Sequence, residues 1–404
     1  MKILVVSQYY YPENFRITDV CEELVKRGHQ VEVLTGLPNY PEGVVLKEYK
    51  DKKNWEQEIN GVKIHRTYEY GRGKNKIKLF LNYYSVSLSM KRKAKKIKEK
   101  FDLVLINQLS PVMVSWAGIA YAKKHKVPCL LYCYDLWPDS LAAGGIKKGN
   151  IIFKYFYKVS NKCYKKADTI MVTSKSFIKY FEDYHKIESS KIKYLPQYCE
   201  DIFELNENNF NNTIEKKTKY NYVFAGNIGK MQSVETIIKA ASLVQNEDIT
   251  IHIVGDGSNL ENCKNLVESL NVKNVIFYGR RPLEDMPKFY SLADAMIVTL
   301  SKNDIISKTL PGKVQSYMCA GKPIIGCIDG ECFDTIKEAQ CGLVCESENY
   351  EELSKLFIEF KSQDFKLMKE NSKKYYQDNF TKQLFFERLE KCMIDVGKQK
   401  WKYY

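Results

Sequence analysis

The chain has 404 residues, of which 44% are hydrophobic and 28% charged, and its formal net charge is +14. This length exceeds one ordinary hydrophobic core and favours two domains of about 200 residues each, and the composition excludes a disordered chain. No apolar run approaches the ~18 to 20 residues that a membrane-spanning helix requires, so we expect any membrane contact to be peripheral. The positive charge predicts an anionic partner, and nucleic acid, a phospholipid surface and a phosphorylated substrate all stay open.

The twelve cysteines could indicate disulfides or a zinc site. The first residues, Met1 to Val6, have the pattern of a strand and not the layout of a signal peptide, so we expect a reducing, cytoplasmic compartment. No Cys-x-x-Cys occurs, and pairs such as Cys129 and Cys133 lack histidines at ligand spacing. The sequence therefore predicts buried free thiols and no metal site.

Short β-branched runs alternate with helix-like stretches along the chain. In the first half these runs are Lys2–Ser7, Gln30–Thr35, Val62–Thr67, Asp102–Asn107, Val127–Cys133 and Asp168–Thr173. The polar, Asn-rich residues 205–219 have the character of a linker, after which the runs are Tyr220–Ala225, Ile249–Val254, Asn274–Tyr278, Asp294–Thr299, Pro323–Cys327 and Leu343–Cys345. The alternation predicts an α/β protein with two Rossmann-like, doubly wound domains, residues 1–200 and 201–379.

Ligands of such open sheets bind beyond the carboxyl ends of the strands, so we expect the active site in a cleft between the two domains. The apolar positions of residues 371–404 have helical spacing, and the part from about 380 to 404 is expected to pack back on the first domain.

The loop after the first strand carries Tyr10, Glu13 and Arg16. Polar side chains beside a strand terminus are well placed for substrate recognition, and we take these three as candidate acceptor contacts. The alternative is that the tyrosines of this loop only cap the sheet.

Asp135 and Asp139 flank a Trp-Pro turn after the fifth predicted strand. A carboxylate at this place could orient a sugar hydroxyl or remove its proton, so both are candidate catalytic residues. Asp139 could instead cap the following helix, a role for which Asp is well suited.

In the second half, Gly226-Asn227-Ile228-Gly229-Lys230 joins a strand to a helix, and glycines let backbone amides approach a phosphate. Gly255, in Gly255-Asp256-Gly257, follows the next strand in the same way. Each of these motifs is weak alone and is common in simple turns.

The most specific segment is Thr309 to Gly326, in which Lys313 opens a helix that ends in Ala-Gly-Lys-Pro before a buried strand. This pattern resembles the Pro-x-Lys and Gly-Lys-Pro motifs of retaining GT-B glycosyltransferases of the large family four. Within that family the chain resembles the N-acetyl-L-fucosamine transferases of bacterial O-antigen and capsule synthesis. Four segments carry the resemblance, namely Gln8–Arg16, Asp135–Ser140, Ala225–Gln232 and Pro311–Tyr317.

The resemblance implies transfer of a sugar such as N-acetyl-L-fucosamine from a UDP-sugar to a lipid-linked glycan. The acceptor would bind the first domain and the donor the second. The implied donor contacts are Gly226, Asn227, Lys230, Gly255, Arg280, Lys313, Ser316 and Tyr317. No Asp-x-Asp occurs, so neither a metal nor another cofactor is expected.

The chain departs from the family pattern at three places. The family has ribose-binding glutamates where this sequence has Ser316 and, roughly, Lys308, and Tyr134 lies near the position of its frequent active-site histidine. A serine can still form one hydrogen bond to a ribose.

Basic and aromatic residues are interleaved at residues 72–98 and 147–166. These stretches could be solvated helix faces, nucleic-acid contacts or an anionic membrane surface, and the lipid-linked acceptor favours the membrane. We therefore expect a protein peripheral to the inner face of the cell membrane that binds no nucleic acid.

A nucleotide-sugar epimerase of the same fold and a basic nucleic-acid-binding protein are the alternative functions. A Rossmann oxidoreductase lacks support because the glycine fingerprint is absent after the first strand.

Overall fold

The structure is a computed structural model that describes residues 1–73, 75–143, 145–204 and 214–401. The greater part of the expected linker, residues 205–213, lies outside the described residues. The chain divides into two compact units. Unit 1 comprises Met1–Thr173, Phe177–Leu195 and Arg388–Tyr404, and unit 2 comprises Ser174–Ser176 and Pro196–Glu387.

Unit 1 is built on an eight-stranded sheet. Its strands are β1 (Lys2–Ser7), β2 (Gln30–Thr35), β3 (Glu56–Ile59), β4 (Val62–Arg66), β5 (Leu103–Gln108), β6 (Cys129–Cys133), β7 (Thr169–Val172) and β8 (Ile192–Tyr194). Their order is β3-β4-β2-β1-β5-β6-β7-β8, and the pairing is parallel except between β3 and β4. The order reverses between β1 and β5, which makes their carboxyl ends the switch point at which such sheets bind ligands.

Helices connect the strands of unit 1. They are α1 (Arg16–Lys26), α2 (Lys76–Lys96), α3 (Ser115–His125), α4 (Ser140–Ala143), α5 (Ile151–Lys166) and α6 (Lys175–His185). Asn75 and Asn150 fix the starts of α2 and α5, because each side-chain oxygen accepts a hydrogen bond from a free amide of the first turn, at 2.8 Å.

Unit 2 is built on a six-stranded parallel sheet of order β11-β10-β9-β12-β13-β14. Its strands are β9 (Tyr220–Ala225), β10 (Ile249–Val254), β11 (Val275–Gly279), β12 (Ala295–Thr299), β13 (Ile324–Cys327) and β14 (Gly342–Cys345). Its helices are α7 (Val234–Leu243), α8 (Leu260–Ser269), α9 (Met286–Leu292), α10 (Gly312–Cys319), α11 (Glu331–Ala339), α12 (Tyr350–Glu359) and α13 (Phe365–Asn379). The last helix, α14 (Lys382–Trp401), groups with unit 1 from Arg388 onward.

The prediction of two α/β units with doubly wound sheets is confirmed. Two strands, β3 and β8, were not expected from the sequence, and the expected C-terminal helix is two helices, because α13 ends at Asn379 before α14 begins. No helix of the described ranges is long and apolar enough to cross a membrane.

The cysteines are packed inside both units. All twelve are free thiols, and each is buried except Cys392, which is partly exposed on α14. The prediction of buried free thiols is confirmed for eleven of them.

Candidate active site

Three glycines meet at the carboxyl edge of the sheet of unit 2. The amide of Gly226 donates to Val254 at 2.9 Å, and the amide of Gly255 donates to Gly279 at 2.9 Å. Gly226 and Gly255 have φ of 143° and 144°, and a Cβ on Gly255 would lie 1.8 Å from the carbonyl oxygen of Gly226. Glycine is therefore required at Gly255 for both conformation and space.

Lys313 extends from the first turn of α10 to this glycine edge. Its Nζ is buried, has no hydrogen-bond partner among the described residues, and lies 3.9 Å from the ring centroid of Phe224. A Cβ on Gly226 would be 2.9 Å from the same Nζ, so the lysine touches the loop directly. Burial lowers the pKa of Lys313 to about 7. The site thus holds an ammonium that a bound anion would stabilise.

Other expected donor contacts surround this edge. The side chain of Asn227 donates to Gln232 at 3.2 Å, and Lys230 is exposed in the turn that follows. The largely exposed Arg280 lies 3.7 Å from Asp256 as a loose ion pair. These side chains are accessible to a ligand. Their contacts with the nucleotide-sugar donor remain predictions.

Ser316 and Tyr317 face into the unit. The Ser316 hydroxyl donates to Gly312 at 3.2 Å within its own helix. The Tyr317 hydroxyl is fully buried, accepts from the Ala225 amide at 3.3 Å and donates to the Ala225 carbonyl at 3.2 Å. The position of Tyr317 differs from the expected one: it supports the end of β9 from inside the unit.

Unit 1 contains a separate cavity of about 1450 Å³ beyond the carboxyl ends of its strands. Apolar and aromatic side chains make up most of its lining. The residues are Tyr9, Phe15, Tyr40, Arg72, Lys76, Leu79, Phe80, Tyr83, Tyr84, Leu109, Ser110, Asp135, Trp137, Ser140, Leu141, Ile146, Ile151, Ile152, Tyr155 and Phe156. We call this cavity the aromatic groove.

Asp135 is the carboxylate of the aromatic groove. Ser110 donates to Asp135 Oδ2 at 2.8 Å, and Trp137 Nε1 donates to the Ser110 hydroxyl at 2.8 Å. Burial raises the pKa of Asp135, and the hydrogen bonds from Ser110 oppose that shift. The carboxylate is thus held in one orientation, as a hydroxyl-positioning group requires.

Asp139 is buried outside the set of residues that line the aromatic groove. It accepts a hydrogen bond from Tyr180 and lies 2.8 Å from Lys148 Nζ. This arrangement ties the turn after β6 to α6. The structure therefore differs from the expectation of a second catalytic carboxylate beside Asp135, because both oxygens of Asp139 face protein groups.

The expected acceptor residues lie in the loop after β1, and none of them lines the aromatic groove. Tyr10 is buried against Cys21, and Glu13 accepts the backbone amides of Asn39 and Tyr40 at 2.8 and 2.7 Å. Burial raises the pKa of Glu13 to about 7. Arg16 begins α1. The sequence predicted contact with the acceptor for all three, and none of them is part of the groove lining.

Their neighbours Tyr9 and Phe15 occupy the groove instead, stacked with ring centroids 4.7 Å apart, with Tyr40 packed on both. Sequence reasoning missed these aromatics and Arg72 as site residues. Side chains alternate in direction along a strand, and this alternation, continued past the end of β1, was a sequence signal for Tyr9. No sequence signal showed which side of the loop faces the groove.

Two α/β units with parallel sheets are the architecture of the GT-B glycosyltransferases to which the structural neighbours of this chain belong. The chain has this fold in common with a glycosyltransferase from Rickettsia africae, at 17% identity, a TM-score of 0.71 and 98% coverage of both chains. It also resembles Anabaena HepE, solved in complex with UDP and glucose, at 12% identity, a TM-score of 0.67, and coverage of 100% of this chain and 99% of that one.

The family models agree with this fold. Residues 15–197 match the model described as Glycosyltransferase Family 4, and residues 206–378 match Glycosyl transferases group 1. The chain is therefore a glycosyltransferase of these families.

Two curated proteins are related over much of the chain. One is WbjE of Pseudomonas aeruginosa, named as a probable glycosyltransferase, at 24% identity over 65% of this chain and 67% of that protein. The other is WcaI of Escherichia coli K12, whose name assigns it to colanic acid biosynthesis, at 22% identity over 80% of this chain and 82% of that protein.

Gly255→Ala is expected to destabilise unit 2, because the new Cβ would overlap the Gly226 carbonyl and the positive φ alone costs about 1 to 3 kcal/mol. The measurement is thermal unfolding. Gly397→Ala on α14 is the matched control, since a Cβ there meets no atom within 4 Å. Equal melting temperatures for the two variants would contradict the contact.

Proposed function

We propose that this glycosyltransferase moves a sugar, with retention of configuration, from a UDP-sugar to a lipid-linked glycan during bacterial O-antigen or capsule synthesis. The preferred sugar is an N-acetylated deoxyhexosamine such as N-acetyl-L-fucosamine, a preference that rests on the resemblance of the four sequence segments. No metal is required, because the protein itself supplies the positive charge at the donor.

The buried, unpartnered ammonium of Lys313 carries the proposal. A leaving nucleoside diphosphate develops negative charge, and a desolvated cation aimed at that charge lowers the barrier. The glycine edge brings the backbone close to this ammonium, because a Cβ on Gly226 would lie 2.9 Å from Lys313 Nζ. The choice of nucleotide is supported by HepE, which has the same fold and was solved with UDP bound.

Asp135 has the matching role toward the acceptor. In unit 1 its carboxylate is oriented by Ser110 and lines the aromatic groove, so it can accept a hydrogen bond from an acceptor hydroxyl. We assign it the positioning of that hydroxyl and, as the new bond forms, the removal of its proton.

The first test is a panel of UDP-sugars incubated with and without a lipid-linked saccharide, with released UDP and the saccharide product as readouts. Transfer that requires the acceptor supports the proposal. Consumption of the nucleotide sugar without an acceptor and without release of UDP would indicate an epimerase.

Lys313→Met keeps an unbranched side chain one atom shorter and removes its charge, and it is expected to weaken UDP binding by roughly 10- to 100-fold. Wild-type affinity should also fall as the pH rises above about 7, because the free lysine loses its proton there and the diphosphate binds the charged form. Lys313→Arg stays charged and should flatten this pH profile. Calorimetric titration of UDP between about pH 6 and 9, on either side of that pKa, measures the affinity and its pH dependence. Identical pH profiles for wild type and Lys313→Arg would remove the lysine from the phosphate site.

Asp135→Asn keeps the shape of the side chain and removes its charge. Transfer is expected to fall by about 10² to 10⁴-fold with UDP affinity unchanged, since the nucleotide contacts belong to unit 2. Asp139→Asn is the control, because Asp139 is tied to Tyr180 and Lys148 and its loss should lower the melting temperature. A stable Asp135→Asn protein with wild-type turnover would exclude the role.

The exposed lysines of α2, α5 and the segment before α5 are expected to hold unit 1 on anionic membranes, at up to about 1 kcal/mol for each basic residue near the surface. Sedimentation with vesicles measures this, and salt should release the protein because it screens the charges. Equal sedimentation with neutral and anionic vesicles would argue against electrostatic binding.

A further inference from the structure

Much of the wall of the aromatic groove is formed by the N-terminal halves of α2 and α5. Tyr84 and Tyr155 join the two helices by a hydrogen bond of 3.1 Å between their hydroxyls. Large apolar side chains at the groove remain open to solvent, with 51% of Phe80, 81% of Ile151 and 47% of Ile152 exposed. Exposed apolar surface of this extent on one side of a domain is typical of a binding surface.

The apolar lining of the groove is exposed to solvent in one part and buried in another. Trp137 and Phe156 are buried and pack edge to face at 5.4 Å between centroids, while Ile151 is the most exposed of the large hydrophobic residues that the structure describes. A volume of about 1450 Å³ exceeds the roughly 300 to 1,000 Å³ of ordinary small-molecule pockets. The groove is thus large enough for a long apolar ligand as well as the group that it carries.

Cationic side chains lie on the same lining. The guanidinium of Arg72 is 5.9 Å from the ring centroid of Tyr40 and forms no ion pair with another described residue. Lys76 is exposed at the start of α2. Together with Asp135, these residues give the groove two cations, one carboxylate and an extended apolar wall.

We propose that the aromatic groove binds the hydrocarbon chain of the acceptor lipid, with Arg72 and Lys76 at the phosphate that links this lipid to the saccharide. The inference rests on the proposed function and names the part of the acceptor that unit 1 recognises. The arrangement of charges is complementary to a phosphate-linked amphiphile: cations meet the phosphate, Asp135 meets a sugar hydroxyl, and the chain covers the apolar wall. A free sugar or a soluble glycan would leave that wall in water.

The test compares two probes, N-acetylglucosaminyl diphosphate carried on a farnesyl chain and the same compound carried on a methyl group. Binding to the full chain is measured by calorimetry without donor, below the concentration at which the farnesyl compound aggregates. We expect the farnesyl compound to bind the wild type at least about 100-fold more tightly, because apolar carbons leave water.

Leu79 and Leu81 provide a matched pair of variants on α2. Leu79 lines the groove, whereas Leu81 is 45% exposed on the same helix and is outside the lining. Leu79→Ser is expected to reduce the preference for the farnesyl compound by roughly tenfold, and Leu81→Ser is expected to leave it unchanged. Arg72→Gln should weaken both compounds equally, since each carries the diphosphate.

Equal binding of the two compounds by the wild type would overturn the proposal. Equal loss of the preference in Leu79→Ser and Leu81→Ser would also overturn it, because general adsorption to the helix surface would then explain the binding. The donor reaction is read separately: a retained farnesyl preference with no transfer from any UDP-sugar supports the groove assignment and contradicts the proposed function.

Discussion

Parallel pairing of the strands determines where chemistry can occur in each unit. Every strand pair in unit 2 is parallel, so its six strands all end at the same edge, and unit 1 departs from this only at β3. The central strands of both sheets are almost wholly buried and mostly apolar. Polar side chains therefore collect in the loops at the strand ends, where Lys313 meets the glycines of unit 2 and Asp135 lines the groove of unit 1.

Burial acts on these two groups in opposite senses. It lowers the pKa of Lys313 and raises that of Asp135, so each is displaced towards its neutral form. Asp135 is nevertheless hydrogen-bonded by Ser110, whereas Lys313 has only the ring of Phe224. The carboxylate is therefore oriented before any ligand arrives, and the ammonium would gain most of its stabilisation from a ligand. Under the proposed function, an oriented Asp135 and an incompletely solvated Lys313 suit a reaction whose leaving group becomes more negative.

The sequence predicted the buried strands well and the polar details poorly. β1, β2, β9 and β10 have the bounds that the β-branched runs predicted, because β-branched residues are enriched in strands. β3 was missed because its residues, Glu-Gln-Glu-Ile, pair at an edge and carry no such run. The sequence also located the loop of Tyr10 but did not show which side of that loop faces the groove. That side depends on packing against Asn39 and Tyr40, which belong to a distant segment of the chain.

The buried cysteines of both units can be used to measure local opening of the structure. Unit 1 protects Cys21, Cys129, Cys133 and Cys163, and unit 2 protects Cys199, Cys263, Cys319, Cys327, Cys332, Cys341 and Cys345. Alkylating reagents reach a buried thiol only when the surrounding structure opens, so the rate at each cysteine reports the free energy of that opening. Mass spectrometry of alkylated peptides would then follow the two units separately in the unmodified protein, and Cys392 would record the reactivity of a partly exposed thiol in the same sample.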